Sequence, residues 1–526
     1  MKNKKKIIIA SIATLLAGGA IVGGTTYAVF KNNSNVSITV NSAKVDVTAL
    51  VDTESVYTKQ LGGDYTLGTT SMYDGEVTIS NKAITLNNIL PGDGVKFNIK
   101  VTNNSSVNTK VRTIVKALED NELLDDLVIK INDEEFNGNA KSTWEDLAKD
   151  STDSIITIEI ELPEECEVNS SSESISLEYS LEAVQGNANV GLYEVTPSNV
   201  QEVLDNITGE ATVVLTSGDY DTLYLRQDLD VSTRRSDLDK DASYPAYYRQ
   251  IKDLKIVVKE GDTVTCDGVK AEAGLFWYNS APASNQKEMN KETGGFLSFL
   301  RLENITIEGL TFDNSDQSAV HLRDNDPDST KETSALILVN NFTVKNCTAS
   351  GDITKKDYHF FSAGTGSKGT TFDDTNMYCY NNISLINNDI STYYQPICFN
   401  NSKTVLNGFK VKNNKFTGCD NNTLQISNKV NKGRFVFSGN TITNTNGRFA
   451  RMANLDSSAK VTLKNNKIVT PTKYNDENAE VVKLTGTDGF TVYDNYNNWN
   501  QGSFTTSGTY ISLGDTSLLP SGTYSN

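Results

Sequence analysis

Several residue types that common enzyme classes require are scarce in this chain. Only two histidines occur among 526 residues, and no zinc-enzyme or serine-triad signature is present. The six cysteines form no CxxC pair, and a chain of this length does not need disulfide staples, so they are interpreted as small apolar core residues. Positive charge is also scarce: 48 Lys and Arg stand against 66 Asp and Glu, a net charge of −18. No nucleic acid partner is therefore expected, because phosphate binding needs a basic face on the whole domain.

The N-terminus has the order of an export signal. Four lysines within residues 1–6 precede an uncharged run of apolar and small residues over 7–24, and small residues follow up to Ala28. This order predicts cleavage between Ala28 and Val29. An uncleaved membrane anchor is the alternative, since the run approaches the ~20 residues needed to span a bilayer. We expect a secreted, extracellular or matrix-associated protein with no transmembrane segment in its mature form, and a short tail at 516–526.

Residues 29–188 show the alternation of one-sided β-strands. Apolar and polar residues alternate over 36–40, 95–101, 156–162 and 175–181, with turn formers between them. This pattern predicts an antiparallel sandwich. A short helical segment is expected near 118–127.

The same region resembles the camelysin/TasA-type matrix-fibre proteins of Gram-positive bacteria. The resemblance rests on residues 23–30, on Ile89-Leu90-Pro91-Gly92-Asp93 leading into 97–104, and on a closing strand at 177–183. It implies a sandwich that polymerises by donating its N-terminal segment, here residues 29–40, to a neighbour. The protease activity attached to camelysins is not transferred, because no histidine precedes His321.

A repeat dominates residues 192–515. Its pattern is apolar-x-apolar-x-(Asn/Gly/Asp)-Asn-x-apolar, which suits a short strand followed by a turn at residues that tolerate left-handed backbone angles. Stacked coils would let the Asn side chains bond their equivalents above and below. The repeats begin at Ile305, Phe342, Ile383, Phe409, Phe435, Val461 and Phe490.

This repeat predicts a right-handed parallel β-helix, and the region resembles the pectin-lyase-like superfamily. A helix predicted over 197–207 would cap the first coil and cover its strand edge. The fold expected for the whole chain is all-β, with an antiparallel sandwich followed by this β-helix.

A second strand can be registered in each coil, with its middle residue pointing outward. The resulting column suits an anionic polysaccharide, because sugar rings stack on aromatic side chains and guanidinium groups pair with carboxylates. The alternative is ordinary polar alternation on an exposed sheet face. The column consists of Tyr224, an aromatic residue such as Trp277, His321, Cys398, Gln425, Arg451 and Lys483, and a parallel column begins with Arg226, Arg323 and Asn400.

An acidic segment offers a calcium site. Asp324, Asp326 and Asp328 place oxygen ligands at alternating positions, but the turn glycine and the bidentate glutamate of a calcium loop are missing, so a solvated loop is the alternative. No cofactor is required, and calcium is the one the sequence leaves open. Insertions at 228–250 and 279–293 interrupt the repeat and are expected to build a binding face.

The superfamily does not decide function, because it includes lyases, hydrolases, tailspikes and adhesins. The RxPxxR element of pectate lyases and the Gly-His-Gly of polygalacturonases are absent. The first hypothesis is a surface or matrix protein whose sandwich anchors or assembles and whose β-helix binds extracellular polysaccharide. The second is a polysaccharide lyase with Arg226, Arg323, Arg451 and Lys483 as catalytic candidates and Tyr224, Trp277, His321 and Gln425 binding substrate. The third is a protein-binding adhesin.

Overall fold

The computed structural model of the chain contains two compact units, residues Met1–Val190 and Gly191–Asn526. The structure describes residues 28–30, 37–40, 45–68, 72, 75–79, 83–118, 122–164, 174–186, 190–207, 209–226, 248–272, 296–313, 317–323, 334–363, 380–400, 404–443, 447–470, 480–495, 497–498 and 503–507. The predicted signal peptide up to residue 27 and the tail at 516–526 lie outside them. No helix among the described residues is long and apolar enough to cross a membrane.

The first unit is a sandwich of two mostly antiparallel sheets, as predicted. Its described strands are β1 (Ala28–Phe30), β2 (Ser37–Val40), β3 (Val47–Lys59), β4 (Thr66–Leu67), β5 (Glu76–Ile79), β6 (Ala83–Asn87), β7 (Gly94–Asn103), β8 (Thr109–Ala117), β9 (Val128–Ile131), β10 (Glu134–Asn137), β11 (Ala140–Lys141), β12 (Glu145–Leu147), β13 (Ser154–Glu161) and β14 (Ile175–Gln185). One sheet has the order β10-β9-β13-β7-β3-β4, and β14 organises the other. The helical segment expected near 118–127 is a 3-10 helix, Glu122–Asp126.

Alternation places the apolar residues of these strands in one core. In β7 the buried residues Val95, Phe97, Ile99 and Val101 alternate with lysines and polar residues on the outer face. The ring of Phe97 meets that of Tyr179 from β14 edge-on at 5.8 Å between centroids, which joins the two sheets. The sandwich therefore closes around side chains that period-two patterning assigns to its interior.

The second unit is a right-handed parallel β-helix, as predicted. Its described elements are β15 (Leu192–Val195), α1 (Val200–Asn206), β16 (Ala211–Leu215), β17 (Gly218–Tyr220), β18 (Leu223–Arg226), β19 (Tyr248–Val258), β20 (Val264–Cys266), β21 (Val269–Glu272), β22 (Phe296–Glu308), β23 (Thr311–Asp313), β24 (Val320–Arg323), β25 (Ser334–Lys345), β26 (Thr348–Ser350), β27 (Phe361–Ala363), β28 (Tyr380–Ile386), β29 (Asp389–Ser391), β30 (Ile397–Phe399), β31 (Val405–Lys412), β32 (Lys415–Thr417), β33 (Leu424–Ile426), β34 (Val430–Ser438), β35 (Thr441–Thr443), β36 (Ala450–Leu455), β37 (Lys460–Lys464), β38 (Lys467–Thr470), β39 (Glu480–Gly486), β40 (Thr491–Asn495) and β41 (Ser503–Ser507). The helix predicted over 197–207 is the shorter α1.

The strands stack into three parallel ladders, one on each side of the coil. Ladder A consists of β15, β16, β19, β22, β25, β28, β31, β34, β37 and β40. Ladder B consists of β17, β20, β23, β26, β29, β32, β35 and β38. Ladder C consists of β18, β21, β24, β27, β30, β33, β36, β39 and β41. Each coil contributes one strand to each ladder over most of the unit's length.

The predicted repeat is aligned in the structure with one correction. Ile305, Phe342, Ile383, Phe409, Phe435 and Val461 are direct register partners along ladder A. The last coil was predicted to start at Phe490, but Val461 pairs with Val492, two residues later. The reason is the turn that follows, where Asn497 rather than Asn495 completes the stack of buried asparagines.

Buried asparagines form a continuous ladder at the turn between ladders A and B. The side-chain amide nitrogens of Asn388, Asn414, Asn440 and Asn466 donate to the amide oxygen of the next member at 2.8, 3.2, 2.9 and 2.8 Å, ending at Asn497. The residue before each of the first four members adopts a positive φ, for example 56° at Asn413 and 65° at Gly439. The repeat therefore has the physical cause expected from the sequence: Asn satisfies the buried turn, and Asn or Gly makes it.

Candidate functional site

The candidate site is the outward column of ladder C, called the strip below. Direct register partners define it as Tyr224, Lys270, His321, Ser362, Cys398, Gln425, Arg451 and Lys483. The register aligns the predicted members and corrects one. Lys270 of β21 occupies the position between Tyr224 and His321 that was assigned to an aromatic residue within 276–278. Trp277 itself lies outside the described residues.

The first coil of the strip is tied to the capping helix. The guanidinium group of Arg226 binds both carboxylate oxygens of Asp205 in α1, at 2.9 and 2.5 Å, and lies 5.7 Å from the ring centroid of Tyr224. The side chain of Gln201 exchanges two hydrogen bonds with the backbone of Tyr224, at 2.9 and 3.0 Å, and so replaces a missing strand. Arg226 was predicted as a catalytic residue, but its fork already binds a carboxylate of the same chain. Its position indicates a role in fixing the cap.

The second basic column predicted beside the strip is not continuous. The register places Glu272 between Arg226 and Arg323 on adjacent strands. The order of residue types in this column therefore alternates in charge at its start. Sequence reasoning missed Glu272 because the strand Val269–Glu272 had not been recognised as a member of ladder C.

The centre of the strip is buried and is closed to a ligand. Ser362 and Cys398 are 1% and 5% exposed. Burial raises the pKa of the Cys398 thiol to about 11. His359, just before β27, is also buried and donates from Nδ1 to the carbonyl oxygen of Gln395 at 2.6 Å, and burial lowers its pKa. These groups divide the strip into two separate accessible segments.

The C-terminal segment of the strip combines charge with neutral hydrogen-bonding groups. Gln425, Arg451 and Lys483 are stacked in direct register, and Arg451 is exposed. The amide of Gln425 joins a surface network: it accepts from Asn422 at 2.9 Å and donates to Ser427 at 3.1 Å, and Ser427 donates to Asn400 at 3.2 Å. Planar amides and hydroxyls beside forked or point cations are groups that can bind sugar hydroxyls and carboxylates together.

Several predicted site features lie outside the described residues. These are the calcium ligands Asp324, Asp326 and Asp328, most of the two insertions, and the side chain of Arg323, whose backbone ends β24. Among the residues that the structure does describe, no cluster of three or more His, Cys, Asp or Glu side chains could hold a metal ion.

The longest connections between described strands of the β-helix all join ladder C to ladder A. Segments 227–247, 273–295, 324–333 and 364–379 each follow a strand of ladder C and precede a strand of ladder A, in four successive coils. In the next four coils, the same connections are only a few residues long. The accessible C-terminal segment of the strip therefore lies on coils where these connections are short turns.

Comparisons with known proteins do not identify the chain. No protein-family model matches it, and no curated protein matches its sequence. Among solved structures, it is similar to a Yersinia enterocolitica family 28 exopolygalacturonase at 10% identity, with 79% of this chain and 96% of that chain covered and a TM-score of 0.28. It is also similar to the Agl-KA catalytic domain at 9% identity, with 94% and 98% covered and a TM-score of 0.19. Scores this low support no inference from either structure.

Proposed function

We propose that this is a secreted surface or extracellular-matrix protein whose β-helix binds an anionic polysaccharide along the C-terminal segment of the strip. The observation that supports this most directly is the stack of Gln425, Arg451 and Lys483. None of the strip's eight positions is an acidic residue, although Asp and Glu outnumber Lys and Arg in the chain. A uronate chain lying along the coils would meet a polar or basic group at each ~4.8 Å step.

The sandwich is proposed to anchor or assemble the protein. Its N-terminal strands lie at the edge of one sheet, where β1 pairs with β2 and β2 runs parallel to Ser180–Ala183 of β14. A strand with this position can add its backbone hydrogen bonds to the same edge of a neighbouring copy. Export through cleavage after Ala28 would free this segment.

The binding proposal is tested with three double variants, one on each ladder, within three neighbouring coils. Arg451→Gln with Lys483→Gln changes the strip, and Lys415→Gln with Lys467→Gln removes the same charge from ladder B. We expect the strip variant to bind polygalacturonate about tenfold more weakly in affinity electrophoresis, since two partly exposed charge pairs together contribute about 1.4 kcal/mol. The ladder B variant should bind like the wild type. The third variant, Lys412→Gln with Lys464→Gln, changes ladder A and is described below.

Other outcomes discriminate between functions. Equal retention of the wild type and the strip variant would contradict the proposal. Release of unsaturated, ultraviolet-absorbing sugar ends would identify a lyase instead, with an arginine or lysine as base and the uronate carboxylate neutralised nearby. Binding to host proteins but to no polysaccharide would identify an adhesin.

A further inference from the structure

The charge of the protein is distributed very unevenly along the chain. Residues 405–470 contain eleven Lys and Arg but only two Asp, a net charge of +9 in a chain whose total is −18. Residues 29–190, by contrast, contain 27 acidic and 12 basic residues. The coils from β31 to β38 are therefore a local basic region in an acidic protein. The argument from whole-chain charge against polyanionic partners does not apply to them.

Six of the eleven basic residues lie at outward positions of ladder A: five follow the register shift at Gly408 and Gly433, and Lys432 just precedes it. They lie on the three adjacent strands β31, β34 and β37, which contain no acidic residue. All six are half-buried, as expected for side chains whose alkyl stems cover the sheet. We call this surface the lysine face; it consists of Lys410, Lys412, Lys432, Arg434, Lys460 and Lys464.

The register brings like charges together on this face. Arg434 and Lys460 are direct partners on neighbouring strands, and Lys412 and Lys464 flank Ser438 in one column. A cluster of like charges on one surface raises the local concentration of ions of the opposite sign, so the arrangement favours an anionic ligand.

The lysine face and the strip are different surfaces. The ring of Phe409 on ladder A lies 5.0 Å from that of Phe399 on ladder C, and Phe437 lies 6.3 Å from Phe449, which precedes β36. The inner faces of the two ladders therefore pack against each other across the core. Their outer faces point away from each other, and one extended chain cannot follow both along the coil axis.

We propose that the lysine face binds a thin linear polyanion bearing phosphate or sulfate groups. Five of its six cations are lysines, which act as point charges and lack the fork that selects planar carboxylates. The three strands span only about 10 Å along the coil axis, whereas a protein interface of ~800 Å² per partner is roughly 28 Å across. A thin linear polymer fits a patch of this width, whereas a folded protein or a wide duplex would extend well beyond it. This inference is independent of the polysaccharide proposed for the strip.

The test uses the full-length chain, inorganic polyphosphate and dextran sulfate as probes, and the variant Lys412→Gln with Lys464→Gln. We expect the dissociation constant for polyphosphate to rise at least tenfold. The slope of its logarithm against the logarithm of salt concentration should fall by about one to two, because two cations no longer displace counterions. The pair Lys415→Gln with Lys467→Gln lies three residues further along the same two coils, on ladder B, and is the matched control. Both it and Arg451→Gln with Lys483→Gln should bind polyphosphate like the wild type.

Three results would overturn the lysine face as such a site. They are no polyphosphate or dextran sulfate binding by the wild type at 50 mM salt, equal losses in all three double variants, and equally tight binding of duplex DNA. Salt-sensitive self-association that only the Lys412/Lys464 variant loses, without polyanion binding, would assign the face to a second copy of the chain and contradict the proposal. Polygalacturonate binding by each variant reports separately on the strip, so the two proposals fail independently.

Discussion

The sandwich and the β-helix satisfy buried polar groups in different ways. In the sandwich, each buried polar group is satisfied by its own set of hydrogen bonds, which occurs only once. The fully buried carboxylate of Asp93 accepts the backbone N–H groups of Leu61 and Leu90, both at 3.0 Å. The amide of Asn103 donates to the carbonyls of Val107, Leu147 and Ala148. Such groups tie together distant parts of the chain, and the sequence contains no second copy that would reveal them.

In the β-helix, one hydrogen-bonding arrangement is repeated in successive coils. Each member of the asparagine ladder before Asn497 donates to a backbone carbonyl and to the next amide, and accepts from the preceding coil. Stacking requires the same side chain at the same position in successive coils. This requirement therefore appears in the sequence as a repeat of asparagine. The comparison indicates that a buried polar group is predictable from sequence when symmetry repeats it.

The largest expected effect on stability comes from breaking the repeated hydrogen bonds of the asparagine ladder. Asn440→Ala removes four buried hydrogen bonds: two that its side-chain oxygen accepts from the backbone and side-chain N–H groups of Asn414, and two that its amide donates to Val411 O and Asn466 Oδ1. We expect the free energy of unfolding of the β-helix to fall by about 4 kcal/mol, since each of the lost hydrogen bonds contributes about 1 kcal/mol. Urea unfolding followed by hydrogen exchange mass spectrometry measures each unit separately. Thr441→Ala, whose side chain lies on the outer surface, should change stability little, and an equal loss there would show that the ladder is not the cause.

Breaking a set of hydrogen bonds that occurs only once should have a smaller effect on stability, confined to the sandwich. Asp93→Ala orphans the N–H groups of Leu61 and Leu90. We expect the sandwich to lose about 2 kcal/mol of unfolding free energy, with the β-helix unchanged. The same hydrogen exchange measurement reports this, with the exposed Asp64→Ala as control. If Asp93→Ala destabilised the sandwich more than Asn440→Ala destabilises the β-helix, the ordering by number of lost hydrogen bonds would be wrong.

The smallest expected effect on stability is a pH dependence that comes from the histidines. His359 is buried and His321 lies at an outward position, so the two can be compared directly. Burial lowers the pKa of His359 in the folded protein below the ordinary 6.5. As the pH falls below about 6.5, the unfolded chain takes up a proton that the folded β-helix excludes, so stability decreases by up to about 1.4 kcal/mol per pH unit. His359→Gln should flatten unfolding free energies measured between pH 7 and 5.5. His321→Gln, on the half-buried outward position, is the control; equal flattening in both variants would contradict the assignment.

Cysteine shows how far composition alone can lead. The interpretation of the six cysteines as apolar core residues agrees with the structure for the four that it describes, Cys266, Cys347, Cys398 and Cys419, which are buried and unpaired. Burial raises the pKa of Cys266, Cys347 and Cys419 to about 12. Cys347 even takes the turn position of the asparagine ladder, where its backbone N–H donates to Asn388 at 2.9 Å.

Much of the strip was predictable because period two assigns the middle residue of a three-residue strand to the outside. That reasoning gave the correct register for His321, Gln425, Arg451 and Lys483. It failed for Lys270, because the strand Val269–Glu272 is followed by an apolar run at 275–278 that fits the same pattern better. The lysine face was overlooked for a different reason: its residues are scattered over 55 positions of sequence, and only the stacking of β31, β34 and β37 brings them together.

The sequence by itself determined the fold of each unit, because alternation and the asparagine repeat encode strands, turns and stacking locally. It also determined which residues point outward in most coils. Only the tertiary structure decided which of those outward residues are accessible and which are already paired. Arg226 is bound to Asp205 of the capping helix, and Cys398 is buried within its outward column. Both outcomes depend on contacts between segments far apart in the chain, which no local pattern records.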